Sequence, residues 1–387
     1  MKTEKFIAYS LLLVMLTLLD SCSPKKTVEL DKIISKGGAS GKYNAFADVC
    51  RMSNGDIMAV YYAGYDHVTR RGASADYPQL GRIVYVKSQD EGRTWSEPAL
   101  VYDSENDDRD PSIVQLSNGR LICNSFPDSL LGDGVGWDPA FMHIQLVESF
   151  DNGITWEKYP QKIYHENWAS SSPIRVLRSR KLVMPVYYVT PDYKKGYGGV
   201  MISTDNGKTW SDPIPIGDRS KLYLPAETDI IQLQNGELFA ALRGSRNDKI
   251  NMHYATSSDE GQTWSDVHDI GFLGSCPYFL RLRTGAIILS YRGSYNTADG
   301  EPEITCLLRV SYDDSKTWQG PYIVKDLRGA YPSMIELKDG SVLMVGYDGP
   351  SSGSEIFASR FFAPAKSDTL ISLSENEHPI LIRSLPF

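Results

Sequence analysis

One eight-residue pattern, S-x-D-x-G-x-T-W, occurs five times in this chain of 387 residues. Four copies read SQDEGRTW, SFDNGITW, STDNGKTW and SSDEGQTW, and the fifth, SYDDSKTW, has Ser315 in place of the glycine. The tryptophans that end these five boxes are Trp95, Trp156, Trp210, Trp264 and Trp318. Such a regular period of about 54 residues predicts stacked or radially arranged units, none of which can bury its hydrophobic face alone.

Each repeat has the pattern of a small antiparallel sheet. In DIIQLQNGELFAAL, residues 229–242, two apolar runs flank a turn at Gly236, which supplies the positive φ of a tight hairpin. A variable loop and a third strand that ends in the box follow. Four strands in about 50 residues, repeated around an axis, are typical of a propeller blade.

Counting the hairpin turns gives the number of blades. The turn residues are Gly55, Gly119, Arg180, Gly236, Gly285 and Gly340. The sequence therefore predicts an all-β fold, a six-bladed β-propeller with five box hairpins. The sixth blade has no box, so we expect its outer strand to come from TVELDKII (27–34) or from the tail SDTLISLSENEHPILIR (367–383), either of which would close the ring.

The repeated aspartate of the box is predicted to be structural. It can accept hydrogen bonds from backbone N–H groups of its own turn, while the tryptophan buries a large surface. Metal binding by Asp90 or Asp259 is disfavoured because every blade needs the same carboxylate for the same turn.

The first residues predict export. Lys2 and Lys5 precede an apolar run from Phe6 to Leu19, and LDSC resembles a bacterial lipoprotein box in which Cys22 is acylated. We therefore expect a signal peptide over 1–21, a lipoprotein linker and possible closing strand over 22–40, the propeller over 41–362, and a tail packed on it over 363–387. A plain signal peptide or a single anchor helix is the alternative. The expected location is the bacterial cell envelope.

Composition limits the partners. A net charge of −8 without a run of Lys or Arg excludes a typical nucleic-acid-binding protein. The cysteines after the signal have no zinc-site spacing, and we expect buried thiols, although an exported chain could pair Cys276 with Cys306. No cofactor or metal is predicted, although a calcium ion is left open. We expect a monomer that contacts the membrane only through its lipid anchor.

One rim of the predicted ring collects polar side chains. The residues nine positions before the six turn residues, where the inner strands start, are Phe46, Asp110, Ser171, Glu227, Cys276 and Tyr331. Those seven positions after the turn, where the second strands return, are Tyr62, Phe126, Tyr187, Arg243, Arg292 and Tyr347. Charges at the mouth of a propeller channel need partners or a ligand.

The boxes on six blades, together with two longer stretches, resemble the sialidase superfamily over roughly residues 40–362. In ETDIIQLQNGELFAALR the resemblance implies a catalytic Glu227 and a substrate-binding Arg243, and GAYPSMIELKDGSVLMVGYDG implies Tyr331 as the nucleophile. A phenol has a pKa near 10 and needs an adjacent base to attack an anomeric carbon. Sialidases are the exception to the usual pair of catalytic carboxylates.

The sequence departs from this family at two arginines. YNAF places Asn44 or Ala45 where family members begin the first blade with an arginine, and Glu303 stands where a third arginine is expected. An arginine triad grips a carboxylate through bidentate bonds, so its loss weakens any preference for a sialic acid carboxylate. Candidates to replace the missing members are Arg292, Arg109 and Arg309.

The family's general acid lies on the loop after the second strand of blade one. Here that loop, AGYDHVTRRGASADYPQLG, offers Asp66, His67 and Asp76, and we choose Asp66 with His67 beside it. Trp137 and Trp168 lie outside the boxes and are predicted either to stack on sugar rings or to pack in the core.

These observations predict an exported, exo-acting glycoside hydrolase that removes terminal acidic or related sugars from glycans. Its predicted substrate-binding residues are Arg243, Arg292, Arg109, Asp110 and His67. One alternative is another carbohydrate-active propeller, such as a lyase or a rhamnosidase-like hydrolase, in which His67 and a tyrosine transfer protons. The other is a glycan-binding lipoprotein without turnover, since fold alone does not give function.

Overall fold

A computed structural model describes most of the chain. The described residues are 31–69, 79–128, 142–170, 172–190, 195–217, 227–245, 249–296, 302–328, 330–350, 353–366 and 379–387. The predicted signal peptide, Cys22, Asp76, Trp137 and Ser171 lie outside them, so export and lipidation stay predictions. Within the described ranges, no helix is long and apolar enough to span a bilayer.

Six sheets, antiparallel except for one strand added at an edge, form the blades of an all-β propeller, which confirms the predicted fold. Blade one contains β2 (Tyr43–Arg51), β3 (Ile57–Gly64), β4 (Arg82–Ser88) and β5 (Ala99–Tyr102). Blade two contains β6 (Asp107–Gln115), β7 (Leu121–Asp128), β8 (Ile144–Ser149) and β9 (Gln161–Ile163). Blade three contains β10 (Trp168–Ala169), β11 (Arg175–Val176), β12 (Leu182–Val189), β13 (Gly196–Ser203) and β14 (Ile214–Pro215).

The second half of the ring repeats this order. Blade four contains β15 (Thr228–Gln232), β16 (Leu238–Leu242), β17 (His253–Ser257) and β18 (His268–Asp269). Blade five contains β19 (Ser275–Arg281), β20 (Ile287–Asn296), β21 (Pro302–Ser311) and β22 (Gln319–Arg328). Blade six contains β23 (Ala330–Glu336), β24 (Val342–Asp348) and β25 (Glu355–Phe361).

Both ends of the described chain complete blades. The first strand, β1 (Asp31–Ile33), pairs antiparallel with β25 and supplies the missing outer strand of blade six. The last strand, β26 (Ile380–Ile382), pairs parallel with β22 and adds a fifth strand to blade five. The N-terminal candidate therefore closes the ring, and the tail covers the edge of the neighbouring sheet.

The boxes are hairpin staples. In the third box Asp205 accepts hydrogen bonds from the Thr209 backbone N–H at 2.9 Å and from the Thr209 hydroxyl at 2.6 Å. Ser203 donates to the same carboxylate at 2.9 Å and accepts from the N–H of Gly207 at 2.8 Å. These bonds lower the pKa of Asp205 to about 2. With both oxygens of each box carboxylate in use, the structural interpretation of the repeat holds.

Two turn positions show what the backbone requires where glycine is absent. Ser315 takes the glycine slot of the fifth box at φ 72°, and Arg180 takes the hairpin slot of blade three at φ 72°. The left-handed region is unfavourable for residues with a Cβ, and the other copies use glycine there. The turn geometry is thus imposed by the blade and not by the local residue.

Two buried carboxylates connect neighbouring inner strands. Asp48 on β2 accepts hydrogen bonds from Ser333 of blade six and from the Ile113 N–H of blade two, the latter at 2.8 Å. Asp229 on β15 connects blade four in the same way to blades three and five. It accepts from the Phe279 N–H of blade five at 2.7 Å and forms an ion pair with Arg175 of blade three. Each carboxylate therefore links three consecutive blades.

The four cysteines of the described chain are free. Cys123, Cys276 and Cys306 are buried, and Cys50 is partly so. The possible disulfide between Cys276 and Cys306 is absent, and the prediction of buried thiols is the one the structure supports. Burial raises the pKa of Cys306 to about 12, so this thiol is unreactive at neutral pH.

Candidate active site

Among the described residues, four inner strands contain a left-handed residue within their first four positions. Phe46, Asp110, Cys276 and Tyr331 have φ values of 55°, 46°, 54° and 51°, and the pairing register with the second strand shifts at each of them. Such bulges re-aim a side chain, and strained non-glycine residues cluster at functional sites. The sequence predicted these residues at the rim, but not the bulge.

Three of these residues, Phe46, Asp110 and Tyr331, line an open cleft of about 240 Å³ at the mouth of the channel. Its lining residues are Phe46, His67, Arg109, Asp110, Phe126, Asp128, Met142, Tyr187, Val189, Glu227, Arg243 and Tyr331. A second, smaller cavity lies between the inner strands, and Phe46, Asp110, Glu227 and Tyr331 border both spaces. These four residues therefore lie where the cleft and the cavity adjoin.

The predicted phenol and carboxylate are in direct contact. The Tyr331 hydroxyl donates to Glu227 Oε1 at 2.6 Å, although 104 residues separate them in the chain. Arg243 donates to the same oxygen at 2.7 Å, and Glu227 is only 5% exposed. Glu227 Oε2 is buried and has no hydrogen-bond partner within the described ranges. The carboxylate is therefore held in position with one oxygen left for another proton donor.

The surroundings keep the phenol of Tyr331 protonated. Burial, followed by the nearby Cys276 and Glu227, raises the pKa of Tyr331 well above its ordinary value. Its ring packs edge-on against Phe46 at 5.0 Å and stacks on Tyr347 at 6.1 Å between centroids. Attack by Tyr331 therefore requires that its proton pass to Glu227 as the new bond forms.

The arginines follow the departures seen in the sequence. The amide of Asn44 is buried and donates to the carbonyls of Gly41 and Ser354, so this side chain ties loops together and does not reach the cleft. Glu303, at the third arginine position, accepts a hydrogen bond from the Tyr295 hydroxyl at 3.1 Å. Only Arg243 of the implied triad lines the cleft.

The replacement candidates differ in position. Arg109 lines the cleft, where it forms an ion pair with Asp107 at 3.2 Å and lies 5.2 Å from the ring of Phe46. Arg292 lies opposite Ser275 and is not among the residues that line the cleft, although its charge contributes to lowering the pKa of His67. Arg309 does not take part, because its guanidinium donates to Gly320 and Tyr291 between strands and stacks over Phe272.

Asp66 and His67, the two residues chosen from the predicted acid loop, lie in different positions. Asp66 is exposed, accepts from the His67 N–H at 2.7 Å and is not among the residues that line the cleft. His67 lines the cleft, and its Nδ1 lies 2.9 Å from the hydroxyl of Tyr43. Desolvation, followed by the charge of Arg109, lowers the pKa of His67 to about 4. The neutral imidazole suits a hydrogen-bonding role better than proton donation.

Trp168 and two aspartates complete the description. Trp168 is 8% exposed and packs against Tyr188 and Tyr197 inside blade three, so it is a core residue. Asp107 and Asp128 were missed by the sequence reasoning, although Asp128 lines the cleft. Asp128 lies two residues beyond Phe126 on β7, and the alternation of a strand puts both on one face. Extending the alignment by two residues would have found it.

Comparisons with known proteins agree with this architecture. The family model described as a BNR repeat-like domain matches residues 131–345, more than half of the chain. A sialidase of Paraclostridium sordellii is 23% identical over 303 residues, which cover 69% of this chain and 70% of the relative. A sialidase of Micromonospora viridifaciens is 23% identical over 319 residues, covering 74% of this chain but 47% of the relative.

Solved structures share the fold at low identity. A protein of unknown function from Dyadobacter fermentans superposes with a TM-score of 0.69 at 21% identity, covering 85% of this chain and 97% of the other. A leech intramolecular trans-sialidase gives 0.65 at 15% identity, with coverages of 86% and 70%. An α-L-arabinofuranosidase of Fusarium graminearum gives 0.61 at 18% identity, with coverages of 82% and 92%.

Fold and repeats define a six-bladed propeller with box hairpins and a polar cleft at one rim. The chain belongs to the BNR repeat-like domain family and, with it, to the sialidase superfamily.

Proposed function

We propose that the protein is a retaining, exo-acting glycoside hydrolase in which Tyr331 attacks the anomeric carbon and Glu227 takes its proton. The contact of 2.6 Å between the phenol and the carboxylate carries this proposal. The attack forms a glycosyl–tyrosine ether-type bond and breaks the bond to the aglycone. Water then cleaves the intermediate, and the sugar leaves with its original configuration.

Arg243 supports the same assignment from the other side of Glu227. Its bond to Oε1 holds the carboxylate where the phenolic proton must arrive, and 37% of the Arg243 side chain remains exposed. A guanidinium with free N–H groups can bind an anionic or hydroxylated ligand at the same time. We infer that Arg243 both orients the base and contacts the terminal sugar.

The proposed substrate is a terminal acidic sugar or a related one on a glycan. Arg243 lines the cleft with 37% of its side chain exposed, so it can bind an anionic group of the sugar while it holds Glu227. A neutral sugar is the second candidate, because Asn44 and Glu303 replace two arginines of the carboxylate clamp. The α-L-arabinofuranosidase with the same fold supports this second candidate only as an analogy.

A substrate panel tests the proposal. The purified protein is incubated with α-sialyl, uronyl and α-L-arabinofuranosyl glycosides, and the first-formed anomer is followed by NMR. We expect hydrolysis of one class with retention of configuration. An inverted product would exclude Tyr331 as a nucleophile, and an unsaturated product absorbing in the ultraviolet would identify a lyase. Binding without turnover on any class would identify a glycan-binding protein.

A further inference from the structure

The hairpin of the second box exposes apolar side chains where the other boxes carry polar ones. Phe150 and Ile154 occupy the second and sixth positions of SFDNGITW and are 66% and 74% exposed. Tyr159, three residues after the box tryptophan, is 80% exposed, and Lys158 Nζ lies 5.6 Å from its ring. Single exposed apolar residues are common, but three beside one turn indicate a contact surface. We call these four residues the box-two patch.

The turn itself does not need these apolar side chains. Asp151 accepts from the N–H groups of Ile154 and Thr155 and from the Thr155 hydroxyl, so the staple uses only backbone and polar groups. At the sixth position the other boxes close the same turn with Arg93, Lys208, Gln262 and Lys316. At the second position they carry Gln89, Thr204, Ser258 and Tyr312. The apolar character of the second box is therefore not required by the fold.

The patch lies on the rim opposite the cleft. In blade two, Asp110 and Phe126 line the cleft at one end of the sheet. At the other end, Leu121 follows the hairpin turn and pairs with Ser149, the first residue of the box. We call this end of the propeller, which carries the hairpin turns and the boxes, the box rim. The cleft and the box-two patch therefore face in opposite directions.

The chain enters the propeller on the box rim. The last residue of β25, Phe361, pairs with Val342, which follows the hairpin turn of blade six. The first strand, β1, runs antiparallel to β25, and its first residue, Asp31, pairs with Ser359 near that end. The first strand therefore runs from the box rim towards the cleft side.

Two lysines connect this entry point to the second box. Lys32 on β1 donates to the carbonyl of Arg93 in the first box. Lys87 on β4 donates to the carbonyl of Asn152 in the second box at 2.7 Å. The entry point and the box-two patch therefore lie on one rim, on either side of blade one.

We propose that the box-two patch contacts a lipid bilayer, so that the box rim faces the membrane and the cleft faces away from it. The predicted lipid on Cys22 is nine residues before Asp31, at most about 30 Å along the chain, and would bring this rim to the bilayer. Aromatic and apolar side chains beside a lysine suit the interfacial region of a bilayer. The patch adds a second contact to the single lipid anchor that the sequence predicts. A second contact fixes an orientation that one point of attachment leaves open.

Environment-sensitive labels on the full-length lipidated protein test this orientation. Glu157→Cys places a bimane label beside the patch, Lys316→Cys places one on the box of the opposite blade, and Asp66→Cys places one on the cleft side. The wild-type protein, whose described cysteines are free and mostly buried, reports the background labelling. In vesicles of phosphatidylethanolamine and phosphatidylglycerol, we expect a blue shift and a loss of iodide quenching for Glu157→Cys only.

A double substitution, Phe150→Gln with Ile154→Gln, tests the patch itself. The first and fourth boxes carry glutamine at these two positions, so the turn should form, and thermal denaturation checks this. With the label at Glu157→Cys, the lipidated double variant should stay on the vesicles and lose the blue shift. The matched control changes the same two positions of the third box, Thr204→Gln with Lys208→Gln, and should keep the blue shift.

Several outcomes would overturn the proposal, and none of them depends on the hydrolase function, because no turnover is measured. Full iodide quenching at Glu157→Cys would exclude membrane contact, and a blue shift at Asp66→Cys would turn the cleft towards the bilayer. An unchanged blue shift in the double variant would show that the anchor alone sets the position. A blue shift that grows with protein concentration without vesicles would identify a second copy of the chain as the partner. An unmodified Cys22 in mass spectrometry would remove the anchor and the proposal with it.

Discussion

Tyr331→Phe is expected to lower kcat/KM about 10³-fold or more, which corresponds to ~4 kcal/mol of lost transition-state stabilisation. The substitution removes one oxygen from a ring that stays packed against Phe46 and Tyr347, so the fold and the cleft should persist. Sugar binding should therefore change little. Initial rates on the panel substrate and calorimetric titration with the product sugar separate the two quantities.

Tyr347→Phe is the matched control for this experiment. Tyr347 lies beside Tyr331 and is 8% exposed, but its hydroxyl interacts with Tyr43 and makes no bond to Glu227. Its loss should leave kcat within about 10-fold of wild type, because it removes a supporting hydrogen bond and no reacting atom. Similar losses in both variants would show that Tyr331 acts through packing alone.

Asp229→Ala is expected to produce the largest loss of stability, about 3–5 kcal/mol of unfolding free energy. The carboxylate is fully buried and accepts from the backbone N–H groups of Ile230 and Phe279, both at 2.7 Å, as well as from Arg175. Its removal leaves an unpaired guanidinium and two unsatisfied N–H groups between blades three, four and five. Urea denaturation measures the change directly.

Asp205→Ala provides the comparison. Asp205 also accepts several hydrogen bonds, but it belongs to an exposed box turn within a single blade. Water can replace its oxygens there, so we expect a clearly smaller loss than for Asp229→Ala. Equal effects, or a loss below about 1 kcal/mol for Asp229→Ala, would contradict the view that this carboxylate links blades.

The repeat made the site predictable over a long range. Aligning the blades on the hairpin turn places Glu227 and Tyr331 at equivalent positions two blades apart, and the structure brings them into contact. Propeller symmetry converts a fixed offset from the turn into a fixed place on the rim. The alignment therefore placed both residues on one rim without knowledge of any loop, and the resemblance to the sialidase superfamily paired them as nucleophile and base.

The bulges could not be read from alternation alone. A bulge inserts one residue that breaks the period of two, and the strand pattern on either side stays apolar. Asp110, Cys276 and Tyr331 are each followed by proline, which is a usable signal because proline is confined to edges and bulges in sheets. Phe46 is followed by Ala47 and has no such mark.

Buried carboxylates were missed for a different reason. Asp48 and Asp229 lie seven residues before the hairpin turn, on strands whose inner ends face the channel. In an isolated blade such a position would be exposed to solvent. It becomes buried only when the neighbouring blades of the closed ring pack against it. The partners Ile113 and Phe279 come from those neighbours, so no local pattern could reveal them.

The clearest difference between expectation and structure concerns the arginines. The sequence showed that two clamp arginines were absent, but it did not show that Asn44 is bound to loop carbonyls or that Arg309 lies between strands. Long side chains reach several positions from one Cα, so spacing alone does not decide which guanidinium enters a cleft. Arg109 and Arg243 line it, whereas Arg292 is not among its lining residues.

Trapping the glycosyl intermediate tests the nucleophile most directly. The protein is treated with an activated fluorinated glycoside of the sugar it hydrolyses, digested, and analysed by mass spectrometry to locate the modified residue. Attack by the phenol predicts the sugar on Tyr331, and Tyr331→Phe should carry none. An adduct on Glu227 or Asp110 would instead identify a carboxylate nucleophile and contradict the mechanism.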